Sequence, residues 1–290
     1  MEKKSSHFSG QLGFVLVAAG SAVGVGSLWH FPYLAAKDGG ELFLLIYLAL
    51  VLPFGFTLLA SDIAIGRRTQ PSAIGAYAAM RPKWKFLGIL TSLVPVLIMT
   101  YYTVIGGWIT KYAVVYITGQ AGAAAQDDYF TSFITSPIAP VVGILFFISA
   151  IFATLTSCIS VLESITANCM EIFHTGRKKT VLVLTVIYLT ASAVIALGYS
   201  IFYFEVKLPN GSTGQLLDIM DYISNSFMMP LISLLSTILI GWIVTPDYVI
   251  DEMERNGEHF RRKKMYTVMI RFVAPVMMLI LFLQSTGILF

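Results

Sequence analysis

The run Gly20-Ser21-Ala22-Val23-Gly24-Val25-Gly26-Ser27-Leu28-Trp29-His30-Phe31-Pro32 constrains this chain more than any other. It interrupts an apolar segment, 12–36, that is long enough to cross a bilayer, with three glycines in seven residues and a proline at its end. Glycine in a helix interior costs about 1 kcal/mol relative to alanine. Proline removes a backbone donor and turns the residue before it away from helix. At hydrocarbon depth, freed backbone groups persist only where protein or a water-filled cavity satisfies them. A span built to break therefore offers its carbonyls to something other than the next turn, and an ion is the leading candidate.

The rest of the sequence has the composition such a span needs. Hydrophobic residues make up 57% of the 290 and charged ones 12%, against about a quarter charged in a soluble domain. The expected fold is an all-α polytopic membrane protein. Seven segments reach the ~20 apolar residues of a spanning helix: 12–36, 41–65, 86–118, 138–172, 180–203, 217–245 and 267–288. They are too long for barrel strands and lack alternation of period two. The first is also too long for the core of a signal peptide, so it is expected to stay in the mature chain. Cys158 and Cys169 share one segment about 16 Å apart along a helix, beyond the reach of a disulfide.

Basic residues set the orientation. Fifteen fall in one set of loops: Lys3, Lys4, Arg67, Arg68, Arg81, Lys83, Lys85, Arg177, Lys178, Lys179, Arg255, Arg261, Arg262, Lys263 and Lys264. The opposite set holds three, Lys37, Lys111 and Lys207, while Arg271 sits in the first turn of the last span. The N-terminus is therefore expected in the cytoplasm and the C-terminus outside.

Broken membrane helices expose carbonyls that coordinate Na⁺, a hard cation that prefers oxygen. The fourth segment adds Ala153-Thr154-Leu155-Thr156-Ser157, in which Thr156 and Ser157 present two hydroxyls near the Ala153 carbonyl. Serine and threonine in such a helix also bond back to the preceding turn or join helices, and Gly20 with Gly24 makes a small-xxx-small packing face. No strand precedes the glycines, so they are not a dinucleotide fingerprint. Without a zinc-protease motif, paired cysteines or a usefully spaced carboxylate dyad, no enzyme is expected, nor a nucleic-acid partner. A seven-span receptor fits the count of segments but no motif.

GSAVGVGSLWHFPY, followed by KDGGELFLLIYLALVLPFGFTLLASDIAIGRR, closely resembles the first two spans of the neurotransmitter:sodium symporters, above all their bacterial amino-acid transporters. The resemblance continues in MTYYTVIGGWITKY, in LFFISAIFATLTSCISVLE, in LLDIMDYISNS and in the last helix. Within a single membrane domain, 1–290, residues 12–118 resemble the family's spans one to three, and 138–288 its spans eight to eleven. SFITSPIAP joins the two blocks where spans four to seven would stand. The implied architecture is a partial inverted-repeat fold of seven spans, the first broken and its counterpart, the sixth, missing.

Carried over by position, the resemblance implies one Na⁺ site from backbone oxygens of Gly20, Val23 and Ala153 with the hydroxyls of Thr156 and Ser157. A second would take the Ala22 carbonyl and Ser27, which stands where the family usually has asparagine; chloride use is left open. Tyr102 would hydrogen-bond a substrate carboxylate beside Gly24 and Gly26. His30 and Asp221 would form the outer gate, and histidine would make that pair sensitive to pH near neutrality. Asp62 matches an acidic position that helps hold the first span, and Glu163 is expected to face the bundle and bond another helix. The implied function is Na⁺-coupled symport of an amino acid or related amine in a bacterial inner membrane, incomplete as one chain unless a partner or homo-oligomer supplies helices. The alternative is a transport-incompetent remnant that folds and binds only Na⁺.

Overall fold

The computed structural model describes residues 15, 24, 30–37, 39–118, 139–198, 201–257 and 259–289. They fall into two compact units, Met1–Gly40 with Tyr102–Val161 and Glu41–Tyr101 with Leu162–Phe290. In the first unit, α1 spans His30–Lys37 and Gly24 carries non-helical backbone. The chain leaves α1 through Gly39 and Gly40, whose φ values of +105° and +56° suit only glycine well, and the Gly40 N–H closes on the Ala35 carbonyl at 2.7 Å.

The second unit begins with α2, Glu41–Thr69, which carries Glu41 in its first turn and Arg67 and Arg68 in its last. Both signs complement the helix dipole. Its buried residues, Thr57, Ser61, Ala64 and Ile65, recur at helical spacing, whereas Leu42, Leu45, Leu48 and Leu52 are exposed. Small and polar residues inside with leucines outside is the pattern of a helix in lipid, where close packing rather than hydrophobicity joins helices. Pro53 lies within α2, and the Thr57 hydroxyl bonds the Pro53 carbonyl at 2.7 Å.

A short helix, α3 (Ala73–Met80), leads to α4 (Lys85–Ile117). Gly88 lets their backbones meet, since a Cβ there would lie 2.7 Å from the Ile74 Cα. Then come α5 (Ala139–Phe173) and α6 (Arg177–Leu197). A two-stranded hairpin pairs β1 (Val206–Lys207) with β2 (Thr213–Gly214), register Val206 to Gly214. The last elements are α7 (Leu216–Ile243), α8 (Asp247–Glu254) and α9 (Lys263–Ser285). Two π-helical turns, Tyr222–Met228 and Met269–Val273, each end two residues before a proline, Pro230 or Pro275. A wider turn there absorbs the donor that proline lacks.

Five described helices are long and apolar enough to cross a membrane: Glu41–Thr69, Pro82–Gly106, Arg177–Leu197, Leu216–Ile243 and Lys263–Ser285. They coincide with five of the seven expected segments. Of the other two, 138–172 forms the 35-residue α5, and most of 12–36 lies outside the described residues. The core of the second unit centres on Leu87, Leu239, Val249, Tyr266 and Ile270, all fully buried. Within it the Tyr266 hydroxyl shares a 2.6 Å hydrogen bond with Ser61.

Arg271 finds its place here. Its Nε donates to the Gly241 carbonyl at 3.0 Å, and the Trp242 indole donates to the Arg271 carbonyl at 2.9 Å. Gly241 lies in the π-helical turn Leu239–Ile243, and a Cβ on it would meet the Ile270 carbonyl oxygen at 2.8 Å. A guanidinium in a span is thus satisfied by backbone where two helices touch.

Candidate functional site

In the first unit, α4 brings Tyr102 and α5 brings Ser157 to the bare backbone of Gly24. A Cβ built on Gly24 would lie 3.1 Å from the Tyr102 hydroxyl and 3.8 Å from the Ser157 hydroxyl. The first distance is tighter than ordinary packing, so any side chain at position 24 would press on the tyrosine oxygen. Ser157 is buried, 8% exposed, and Tyr102 is half-buried. Glycine here keeps two hydroxyl oxygens beside its own non-helical backbone. Ala153, Thr156 and Ser157 follow the i, i+3, i+4 spacing of a single face of α5.

Of the expected Na⁺ ligands, Gly20, Ala22, Val23 and Ser27 lie outside the described residues, as does Gly26. Ala153 and Thr156 are placed on α5 by their backbone. His30 is the first residue of α1 in the first unit, and Asp221 belongs to the second, at the start of the π-helical turn in α7.

Asp221 has a neighbour that sequence reading missed. The Asn225 amide donates to the Asp221 carboxylate at 2.6 Å and to the Tyr101 hydroxyl at 2.9 Å. Beside it the fully buried Ser224 donates to the Met220 carbonyl at 2.8 Å. The spacing Asp221 to Asn225, i to i+4, was the available signal. Glu163 departs from expectation. It is exposed rather than turned to the bundle, and it forms a forked ion pair with Arg177 of α6 at 2.8 and 2.6 Å. Because Arg177 opens the next helix, the bond does join two helices, across the short turn between them.

Asp62 lines a cavity of about 220 Å³ with Ser61, Tyr77, Thr91, Ser236 and Thr237. Three of these hydroxyls already donate to the preceding turn: Ser61 to Thr57 at 2.8 Å, Thr91 to Leu87 at 2.9 Å and Thr237 to Leu234 at 2.8 Å. Tyr77 and Ser236 share a bond of 2.8 Å. Asp62 itself makes no hydrogen bond or ion pair among the described residues. The cavity is therefore rich in acceptors and suits a partner that donates.

The C-terminal end of α2 carries a clamp that the sequence did not announce. Arg67 Nε donates to the buried Glu252 carboxylate of α8 at 2.7 Å, and a second Arg67 nitrogen reaches the Glu252 carbonyl. Arg255 lies 3.5 Å from the same carboxylate. Arg68 donates to the Tyr248 carbonyl at 2.6 Å and lies 3.8 Å over the Tyr248 ring. Burial pushes the Glu252 carboxyl up, but the charges and hydrogen bonds of Arg67 and Arg255 outweigh it and hold the group below the usual carboxylate range.

The chain matches the model of the Sodium:neurotransmitter symporter family over residues 5–125 and 128–288. Among curated proteins it is similar to an uncharacterized sodium-dependent transporter, YhdH, of Bacillus subtilis. The two are 36% identical over 153 residues, 51% of this chain and 34% of the relative. It is 34% identical over 112 residues to the sodium-dependent neutral amino acid transporter B(0)AT2 of Pongo abelii, 39% of this chain and 15% of that protein. These alignments thus span 34% and 15% of the curated relatives. The crystal structure of MhsT in complex with L-phenylalanine superposes with a TM-score of 0.81 at 21% identity, covering 97% of this chain and 100% of that one, which establishes the fold.

Proposed function

The chain belongs to the sodium:neurotransmitter symporter family, multi-pass membrane proteins that use Na⁺ and are not enzymes, and on that premise we propose that its first unit binds Na⁺ together with an amino acid. The convergence of the Tyr102 and Ser157 hydroxyls on Gly24 carries this reading. Na⁺ is a co-substrate here. The carbonyls of Gly20, Val23 and Ala153 and the hydroxyls of Thr156 and Ser157 would hold one ion, and the Ala22 carbonyl with Ser27 a second. All are hard oxygen donors suited to Na⁺.

Tyr102 would donate its hydroxyl proton to the substrate carboxylate, with Gly24 and Gly26 leaving room for that carboxylate against the main chain. L-phenylalanine bound to MhsT and the neutral amino acid transport named for B(0)AT2 support an amino acid as the ligand. Within the second unit Asn225 would fix the Asp221 carboxylate. The N-terminus would face the cytoplasm.

A second reading is Na⁺ binding without transport. The match covers 34% of YhdH, and the family model aligns in two pieces that part at residues 126–127, near the junction where spans four to seven are expected. Coupled transport by this chain would then need helices from a partner or a second copy.

Uptake of radiolabelled amino acids into proteoliposomes under a Na⁺ gradient separates the two. Accumulation by the purified chain supports symport; Na⁺-dependent thermal stabilisation without accumulation supports the binding-only reading. At 100 times its dissociation constant, bound Na⁺ should add about 2.7 kcal/mol. Thr156→Ala with Ser157→Ala should abolish that gain. A chain that Na⁺ does not stabilise at all would refute both.

A further inference from the structure

The second unit holds a groove of about 320 Å³ along the inner part of α2, remote in sequence from every residue proposed to bind Na⁺. Its floor is Phe56, Leu59 and Ile63, all exposed; Phe260 walls it, and Arg67 and His259 close one end. From Phe56 to Arg67 the helix rises about 16 Å, roughly half the ~30 Å hydrocarbon core of a bilayer. The groove therefore has the length of one leaflet, with its charged end where α2 carries Arg67 and Arg68.

The wall is fixed in place. The Phe260 ring stacks on Phe56 at 6.3 Å and meets Tyr266 edge-on at 6.0 Å. The Glu254 carboxylate accepts from the Phe260 N–H at 3.0 Å and from Lys263 at 2.5 Å, with His259 3.6 Å away. Glu252 neutralises Arg67. Arg261 and Arg262, which directly follow Phe260, are exposed, and their side chains make no ion pair or hydrogen bond among the described residues; the same holds for the Lys264 side chain.

An apolar trough one leaflet deep, walled by Phe260, which Arg261 and Arg262 directly follow in the chain, fits one class of molecule. A water-soluble anion would leave the trough unused, and a neutral lipid would leave the cations unpaired. We propose that this groove binds an anionic phospholipid, one acyl chain lying along Phe56, Leu59 and Ile63 and the phosphate meeting Arg261 and Arg262. Such a site would favour anionic lipids of the leaflet on the basic side. It is independent of the Na⁺ reading and uses none of its residues.

The test uses the whole chain, delipidated in neutral detergent, with dioleoyl phosphatidylglycerol or dioleoyl phosphatidylcholine added. Retention is read by native mass spectrometry and stabilisation by thermal melting, both without Na⁺. Phosphatidylglycerol should bind about tenfold more tightly than phosphatidylcholine, and Arg261→Gln with Arg262→Gln should erase that preference. Ala60→Phe, which fills the trough, should weaken both lipids; if it fails to fold, Leu59→Asn serves the same purpose at an exposed position. Equal binding of the two lipids would mean an apolar filler only. Equal competition by soluble glycerol phosphate would mean a headgroup contact only. Either result, or retention unchanged in the variants, overturns the proposal. Because Na⁺ is absent throughout, failure here leaves the Na⁺ site untouched, and failure there leaves the groove.

Discussion

On α4, Tyr101 is 3% exposed and takes a hydrogen bond from Asn225 of α7, whereas Tyr102, the next residue, stands beside Gly24 and Ser157. Successive helical residues point about 100° apart, so two identical side chains serve two different units. In the second unit polar groups are spent on one another: Ser61 on Tyr266, Tyr77 on Ser236, Arg67 on Glu252. In the first, the Tyr102 and Ser157 hydroxyls lie beside the non-helical backbone of Gly24. The second arrangement holds helices together, and the first is suited to receive a ligand. Substitutions should separate accordingly, costing stability in one unit and ligand affinity in the other.

The largest effect is expected at the clamp between α2 and α8. Arg67→Ala removes the chief partner of a buried carboxylate and should lower stability by about 2–3 kcal/mol, read as a drop in melting temperature with Na⁺ affinity unchanged. Next comes Gly241→Ala. Its new methyl would press on the Ile270 carbonyl at 2.8 Å and should cost about 2 kcal/mol, again without touching Na⁺ affinity. The contrast would collapse if either variant weakened Na⁺ binding as much as it lowered stability.

The paired tyrosines sharpen it further. Tyr102→Phe should weaken Na⁺-dependent amino-acid binding about tenfold, or about 1.4 kcal/mol, with little change in melting temperature. Tyr101→Phe should cost about 1 kcal/mol of stability and leave ligand binding alone. Identical profiles for the two would show that the division between the units has no functional meaning.

The smallest effect concerns acid. Because the folded Glu252 carboxyl is held below its unfolded range, its stabilising contribution is complete above the unfolded value and drains away as pH falls through the folded one. Melting curves from neutral to acidic pH should therefore show a shallower acid loss in Arg67→Ala than in the parent chain. An identical acid limb would assign the loss to other carboxylates.

Much of the fold was legible in advance because lipid imposes simple rules. A helix must be long and apolar to span, so the segments beginning near residues 41, 86, 180, 217 and 267 could be read from composition, to within a few residues at most ends. The glycines of 20–32 likewise announced non-helical main chain, and Gly24 has it; Pro32 and the residue before it instead lie in the first turn of α1, where a missing N–H donor costs no helical bond. Tertiary partners were harder to read. Arg271 looked like a stray charge until the π-helical turn at Gly241 offered it a carbonyl. Glu163 was expected inside, yet the turn after α5 brings Arg177 back to it on the exposed side. Both depend on where helix ends fall, and hydropathy does not record that.

The sequence by itself determined that this is a set of helices in a membrane with one segment rich in helix-breaking residues, since those properties follow from residue type and local spacing. It also named Gly24, Tyr102 and Ser157 separately. Only the tertiary structure decided that these three meet, that Asn225 joins Asp221 to Tyr101, and that Glu252 answers Arg67 across 185 positions of chain. Such pairings depend on how helices are rotated and how closely they pack. In lipid that is set by small residues and hydrogen bonds over the whole bundle rather than by any local pattern.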